Sequence, residues 1–109
     1  MTVKELASHQ NFKPILLPDP ERSVDGAYVG DLLSWVMGRA KSGDAWITIM
    51  SNVNVLAVAT LADVSCVILA EGVSLDADTM LTAESKDINV ISTPLPMYEA
   101  ALALADLLK

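Results

Sequence analysis

The chain has 109 residues, 52% hydrophobic but only 5% aromatic, and its 14 acidic against 7 basic side chains give a formal charge of -7. A single domain of this length buries roughly two-thirds of the surface its unfolded chain exposes, so one core of Ala, Val, Leu, Ile and Met forms without metal or disulfide staples. The acidic balance and the scattered cations argue against nucleic acid and anionic membrane as partners.

Thr2-Val3-Lys4-Glu5 has the form of a capping box and predicts a short helix through Ser8, apolar at Val3, Leu6 and Ala7. Phe12 to Leu17 reads as a strand that Pro14 confines to an edge. The polar stretch from Pro18 to Ser23 is a surface loop, and Gly26 to Val29 is a second short strand. Asp31 is then expected to cap a helix over Leu32 to Lys41, with Leu33, Val36, Met37 and Ala40 buried and Gly43 as terminator.

Ala45 to Met50 is an apolar run of strand length, the signature of a central strand covered on both faces. The turn Ser51-Asn52 leads into a helix over Val53 to Ala62 that is apolar almost all round, which predicts deep burial or a partner. Ser65 to Ala70 is the next strand. Asp76 caps a helix through Lys86 that carries Met80, Leu81 and Ala83 inward, and Ile88 to Ser92 is the last strand. Pro96 suits the first position of a final helix reaching Leu108, whose buried face runs through Met97, Ala100, Ala101, Leu104 and Leu108. From Asp31 onward helices and strands alternate, so the expected fold is α/β: a small, mostly parallel sheet flanked by helices in a single domain.

In a parallel sheet the turns after the strands share one rim, where helix N-termini converge and ligands bind. This rim receives Asp31, Ser51, Asn52, Asn54, Glu71, Gly72, Ser92 and Thr93. They read either as a polar pocket for a small-molecule ligand or as helix caps, and capping accounts for Asp31, Asn52 or Asn54, and Thr93. Glu71 is the residue that capping explains least. Trp35 and Trp46, with Val55 and Val58 of the all-apolar helix, read either as core or as an interface with a second copy.

The chain has no G-x-x-x-x-G-K-[ST], G-x-G-x-x-G, C-x-x-C or H-E-x-x-H, so phosphate loops, dithiol redox chemistry and zinc hydrolysis have no residues to carry them. His9 stands alone, and neither a metal set nor a cofactor motif is present. Cys66, the single cysteine, excludes an internal disulfide, fits a reducing cytoplasm and lies in an apolar strand as an inert thiol. No secretory signal and no apolar run of the ~20 residues a membrane span needs is visible, so the expected location is the cytoplasm.

The runs Gly30-Asp31-Leu32-Leu33-Ser34-Trp35-Val36-Met37, Trp46-Ile47-Thr48-Ile49 and Asn54-Val55-Leu56-Ala57-Val58-Ala59 resemble the stand-alone DRTGG-domain proteins. The likeness continues through Val67 to Ala70 and through Thr93-Pro94 to Tyr98-Glu99. The eponymous residues are degenerate: Asn52-Val53 stands in place of Asp-Arg, and Ala70-Glu71-Gly72 in place of Thr-Gly-Gly. The resemblance implies an α/β regulatory or assembly module, often dimeric, similar to the amino-terminal domain of HPr serine kinase but without the kinase's P-loop. The expectation is a non-catalytic, homodimeric regulatory or scaffolding module. Its rivals are a small enzyme using Asp31 and Glu71 as acid and base, and a dedicated protein partner in a redox or hydrogenase-associated complex.

Overall fold

The capping box forms as the sequence predicts in the computed structural model, which describes residues Met1 to Lys109: the Thr2 hydroxyl accepts from the Glu5 amide and the Glu5 carboxylate accepts from the Thr2 amide. Helix α1 (Val3–Ala7) follows and buries Val3, Leu6 and Ala7. Strand β1 (Lys13–Leu16) lies at a sheet edge, where Pro14 loses no ladder bond. Strand β2 (Gly26–Val29), helix α2 (Leu33–Arg39), strand β3 (Asp44–Thr48), helix α3 (Asn54–Ala62) and strand β4 (Cys66–Leu69) come next. Helix α4 (Ala77–Ser85), strand β5 (Val90–Ser92) and helix α5 (Met97–Leu107) complete the chain.

The five strands form one sheet in the order β1-β5-β4-β3-β2. All neighbours are parallel except β1, which runs antiparallel to β5. This is the mostly parallel, helix-covered α/β sheet that the alternation of elements predicts. Every residue of β3 is buried, as a strand covered on both faces must be.

Alternation along the strands divides the core in two. One face carries Trp46, Val67, Leu69 and Val90 against Val36 of α2, Val55, Leu56 and Ala59 of α3, and Ala83 of α4. The other carries Ala45, Ile47, Cys66, Ile68 and Ile91 under α1 and α5, with Leu6, Ala100 and Leu104 fully enclosed. The Cys66 thiol sits in this second core, where burial pushes its pKa up to about 12. A thiol of that kind is not a nucleophile at neutral pH. Ellman's reagent is expected to leave Cys66 untouched in the native protein and to titrate one thiol in 6 M guanidinium; fast native reaction would contradict the packing.

Asp76 caps α4 as predicted, its carboxylate accepting from the Thr79 amide at 2.8 Å. The Thr79 hydrogen bonds hold Asp76, and the Thr2 hydrogen bonds hold Glu5, below the usual carboxylate range. Because the folded pKa is depressed, the stability these caps contribute is full above the unfolded value of about 4 and is lost as pH falls through the lower folded value.

Several expectations are corrected. Asp31 does not cap α2: the N-cap position is Leu32, with no side chain accepting from the first turn. Met37 is exposed, leaving Val36 as the one fully buried residue of α2, because this short helix meets the sheet along a single ridge. Gly43 does not terminate that helix, which ends in extended backbone at Ala40. Its φ of +86° instead turns the chain into β3, where a Cβ would collide with the Asp25 carboxylate. Leu81 points outward and is 65% exposed, since Ala83 and Thr79 already fill the sheet side of α4. Pro96 occupies the N-cap rather than the first turn of α5.

Trp46, Val55 and Val58 lie inside the single chain, so they are core and not an interface. Each points between the sheet and the α2-α3 layer, where no second copy can reach. Trp35 alone of that group is on the surface, 53% exposed, with the Arg39 guanidinium stacked 3.8 Å over its ring.

Candidate functional site

The carboxyl ends of β2, β3, β4 and β5 share one rim, and the chain segments leaving them are stitched to one another. Asp31 follows β2 and turns toward β3: its Oδ1 accepts from the Thr48 hydroxyl at 2.7 Å and from the Ile49 amide at 2.9 Å. The Met50 amide in turn donates to the Thr48 hydroxyl at 3.1 Å. Asp31 therefore fastens two adjacent strand ends. Asn52 makes a local cap instead, its Oδ1 accepting from the Asn54 amide at 2.9 Å ahead of α3. Asn54 is exposed in the first turn, and the half-buried Ser51 makes no side-chain hydrogen bond.

Beyond β4 the chain reverses through Glu71 and Gly72, both in left-handed backbone with φ of 57° and 72°. Left-handed backbone suits Gly72 and is costly for Glu71, where the Cβ crowds the following carbonyl. The turn is held by the Glu71 amide donating to the Leu95 carbonyl and the Gly72 amide to the Thr93 carbonyl, each at 2.9 Å. Thr93 is fully buried and accepts from the Leu95 amide at 3.2 Å, so it shapes the approach to α5 rather than capping it. The Glu71 carboxylate is exposed and makes no hydrogen bond within the chain.

The predicted rim residues thus divide by what they do. Asp31, Asn52 and Thr93 spend their polar atoms on the chain itself, whereas Ser51, Asn54 and Glu71 present theirs outward beside the Gly72 turn. Lys13, in register with Ser92 on β1, brings a cation to the same rim. Asp31 and Glu71 are not brought together. They leave β2 and β4, whose axes are separated by β3 and lie about 10 Å apart, and Asp31 faces Thr48 and Ile49.

Sequence reading missed Thr48, whose hydroxyl is the hub of the Asp31 contacts; a lone threonine at the end of an apolar strand was the available signal. It also missed an apolar groove of ≈ 330 Å³ formed by Leu16, Ala77, Met80, Leu81 and Glu84, which runs along α4 beside β1. No sequence spacing announces that groove, because it depends on how far α4 stands from the edge strand.

Asp31→Ala is expected to lower stability by about 2 kcal/mol, because it removes two hydrogen bonds to a carboxylate and strands the buried Thr48 hydroxyl. Asp31→Asn, which keeps the acceptor oxygen, should lose less than half as much. Urea unfolding of the two variants checks this, and equal losses would show that the rim connection is not what Asp31 contributes.

Comparison with family models and with curated proteins finds no match for the chain. Among solved structures, it is similar to the CBS and DRTGG domains of the regulatory region of Clostridium perfringens pyrophosphatase, complexed with the activator diadenosine tetraphosphate. The TM-score is 0.63 at 16% identity, over 92% of this chain and 47% of that one. The chain therefore spans about half the length of that structure. At this identity the likeness establishes a shared α/β fold. No helix is long and apolar enough to cross a membrane.

Proposed function

We propose that the chain is a DRTGG-like regulatory or scaffolding module with no catalytic step of its own, that it works as a homodimer in the cytoplasm, and that it holds a small ligand at the carboxyl rim. The observation that carries this reading is the match of nearly the whole chain to a regulatory region. The residues we assign to the ligand are Ser51, Asn54 and Glu71, the rim side chains not already engaged within the chain, together with the turn at Gly72. The activator in the similar structure is a dinucleoside tetraphosphate, which makes nucleotides the first ligands to test, with Lys13, opposite Ser92, as a cation on the same rim. The enzyme alternative is disfavoured because Asp31 is committed to Thr48 and Ile49 and does not face Glu71.

Thermal unfolding in the presence of diadenosine tetraphosphate, adenine and guanine nucleotides, each with and without magnesium, tests the ligand claim. A ligand at 100 times its Kd stabilises the native state by about 2.7 kcal/mol, which is roughly 10 °C in Tm for a domain of this size. The expected result is a rise with at least one nucleotide that Glu71→Ala or Asn54→Ala abolishes. An unchanged Tm across the set removes the nucleotide site.

A further inference from the structure

The two edges of the sheet are treated differently by the sequence. The β1 edge carries Lys13 and Pro14, both exposed, which are residues that discourage pairing with another strand. The β2 edge carries Gly26-Ala27-Tyr28-Val29, with neither lysine nor proline. Gly30 donates to the Ile47 carbonyl of β3 at 3.1 Å, so the alternation of a parallel ladder turns the amides and carbonyls of Ala27 and Val29 outward. No strand covers them.

Apolar side chains frame this open edge on both faces. Ala27 and Val29 are in register with Ala45 and Ile47, on the face covered by α5, and Val29 is 43% exposed. α5 lies on β3 and β2, and Tyr98 in its first turn is 70% exposed. On the other face α2 packs against α3 on one side only. A right-handed crossover turns the flank bearing Leu32, Trp35 and Arg39 away from α3, toward β2. Leu32 is 59% exposed and Trp35 carries the Arg39 stack.

We propose that this edge is where a second copy of the chain docks, the two β2 strands pairing antiparallel about a twofold axis at Tyr28 to make one continuous ten-stranded sheet. The proposal rests on the homodimer reading above and names its surface. Two observations favour a second copy over another partner. An antiparallel edge is complementary to itself: Ala27 of one copy exchanges both backbone hydrogen bonds with Val29 of the other, and the reverse. The exposed parts of Val29, Leu32, Trp35 and Tyr98 amount to roughly 500 Å² of side chain, which with the strand backbone is well over half of the ~800 Å² per partner of a stable interface.

Sedimentation equilibrium from 1 to 100 μM tests this with three variants: Val29→Lys on the strand, Trp35→Lys on α2, and Leu81→Lys as a control on the far, α4 side of the sheet. The expected result is a wild-type mass twice the 11.6 kDa of one chain. Dissociation should be at least ~30-fold easier in both edge variants and unchanged in the control. A dimer that survives Val29→Lys and Trp35→Lys overturns the edge assignment and leaves the homodimer standing. A wild-type chain that is monomeric throughout overturns both, and leaves the edge to a different chain. Circular dichroism of each variant separates lost pairing from lost fold, and Trp35→Lys, on an exposed helix position, keeps the test open should Val29→Lys unfold.

Discussion

Trp46→Ala is expected to cost about 3–5 kcal/mol, a large part of the 5–15 kcal/mol by which a domain of this kind is stable. Trp46 is the largest fully buried side chain, placed at the middle of β3, an interior strand, between Tyr28 of β2 and Val67 of β4. Its ring packs with Val36 of α2 and the buried residues of α3, so truncation opens a cavity that a close-packed sheet and two helices cannot collapse to fill. The indole N–H also donates to the Gly30 carbonyl at 2.9 Å, at the point where β2 gives way to the rim. Trp46→Phe keeps most of the packing and drops that bond, and should cost about 1–2 kcal/mol. Guanidinium unfolding followed by circular dichroism measures both. If the alanine variant lost under 2 kcal/mol, Trp46 would not be the centre of this core.

The second large effect is expected at Asn89, which is buried just before β5 and uses its whole amide. Its Nδ2 donates to the Asp19 carbonyl at 2.8 Å and the Ser65 carbonyl at 2.9 Å, while Oδ1 accepts from the Asp19 amide at 2.9 Å. One side chain thereby joins the Pro18-to-Ser23 loop, the entry to β4 and the entry to β5. Asn89→Ala leaves three backbone groups without their partner and is expected to cost about 2–4 kcal/mol. Asn89→Asp should be at least as damaging at neutral pH, because it places a carboxylate oxygen against two carbonyls that need a donor. The same unfolding experiment checks the order, and an aspartate variant more stable than the alanine variant would mean that the amide is not oriented as described.

Most of the architecture was legible because it rests on short-range rules. Thr2 and Glu5 announce α1 through mutual capping, Asp76 announces α4, and the unbroken apolar run through Trp46 announces a strand with no solvent face. Pro14 placed β1 at an edge, although its antiparallel direction depends on which strand it meets and not on its own residues. The resemblance of the Gly30-to-Ala59 runs to DRTGG domains also pointed toward the fold that the solved regulatory region shares.

What was misread shares one cause. Asp31 has the chemistry of a helix cap and stands one residue too early, so it bonds sideways to Thr48 and Ile49. Capping preference is local, whereas the choice between the next helix and the next strand is made by tertiary distance. Val55, Val58 and Trp46 looked like surface awaiting a partner because an all-apolar helix has no preferred side. The sheet, α2 and α4 supply enough neighbours to bury most of it. The apolar edge along β2, α2 and α5 escaped notice for the opposite reason: its members are scattered from Ala27 to Tyr98 and only the strand order assembles them.

The second core, under α1 and α5, has a consequence for how the protein is made. Its cover comes entirely from the two extremities of the sequence, while the layer on the opposite face is built from the middle. During synthesis the strands can pair and α1 can dock as they leave the ribosome, yet the part of this face that lies under α5 stays open to solvent until that helix emerges. A nascent chain stalled before Met97 would therefore display a half-covered apolar sheet face, the kind of surface that chaperones bind and that aggregates when they do not.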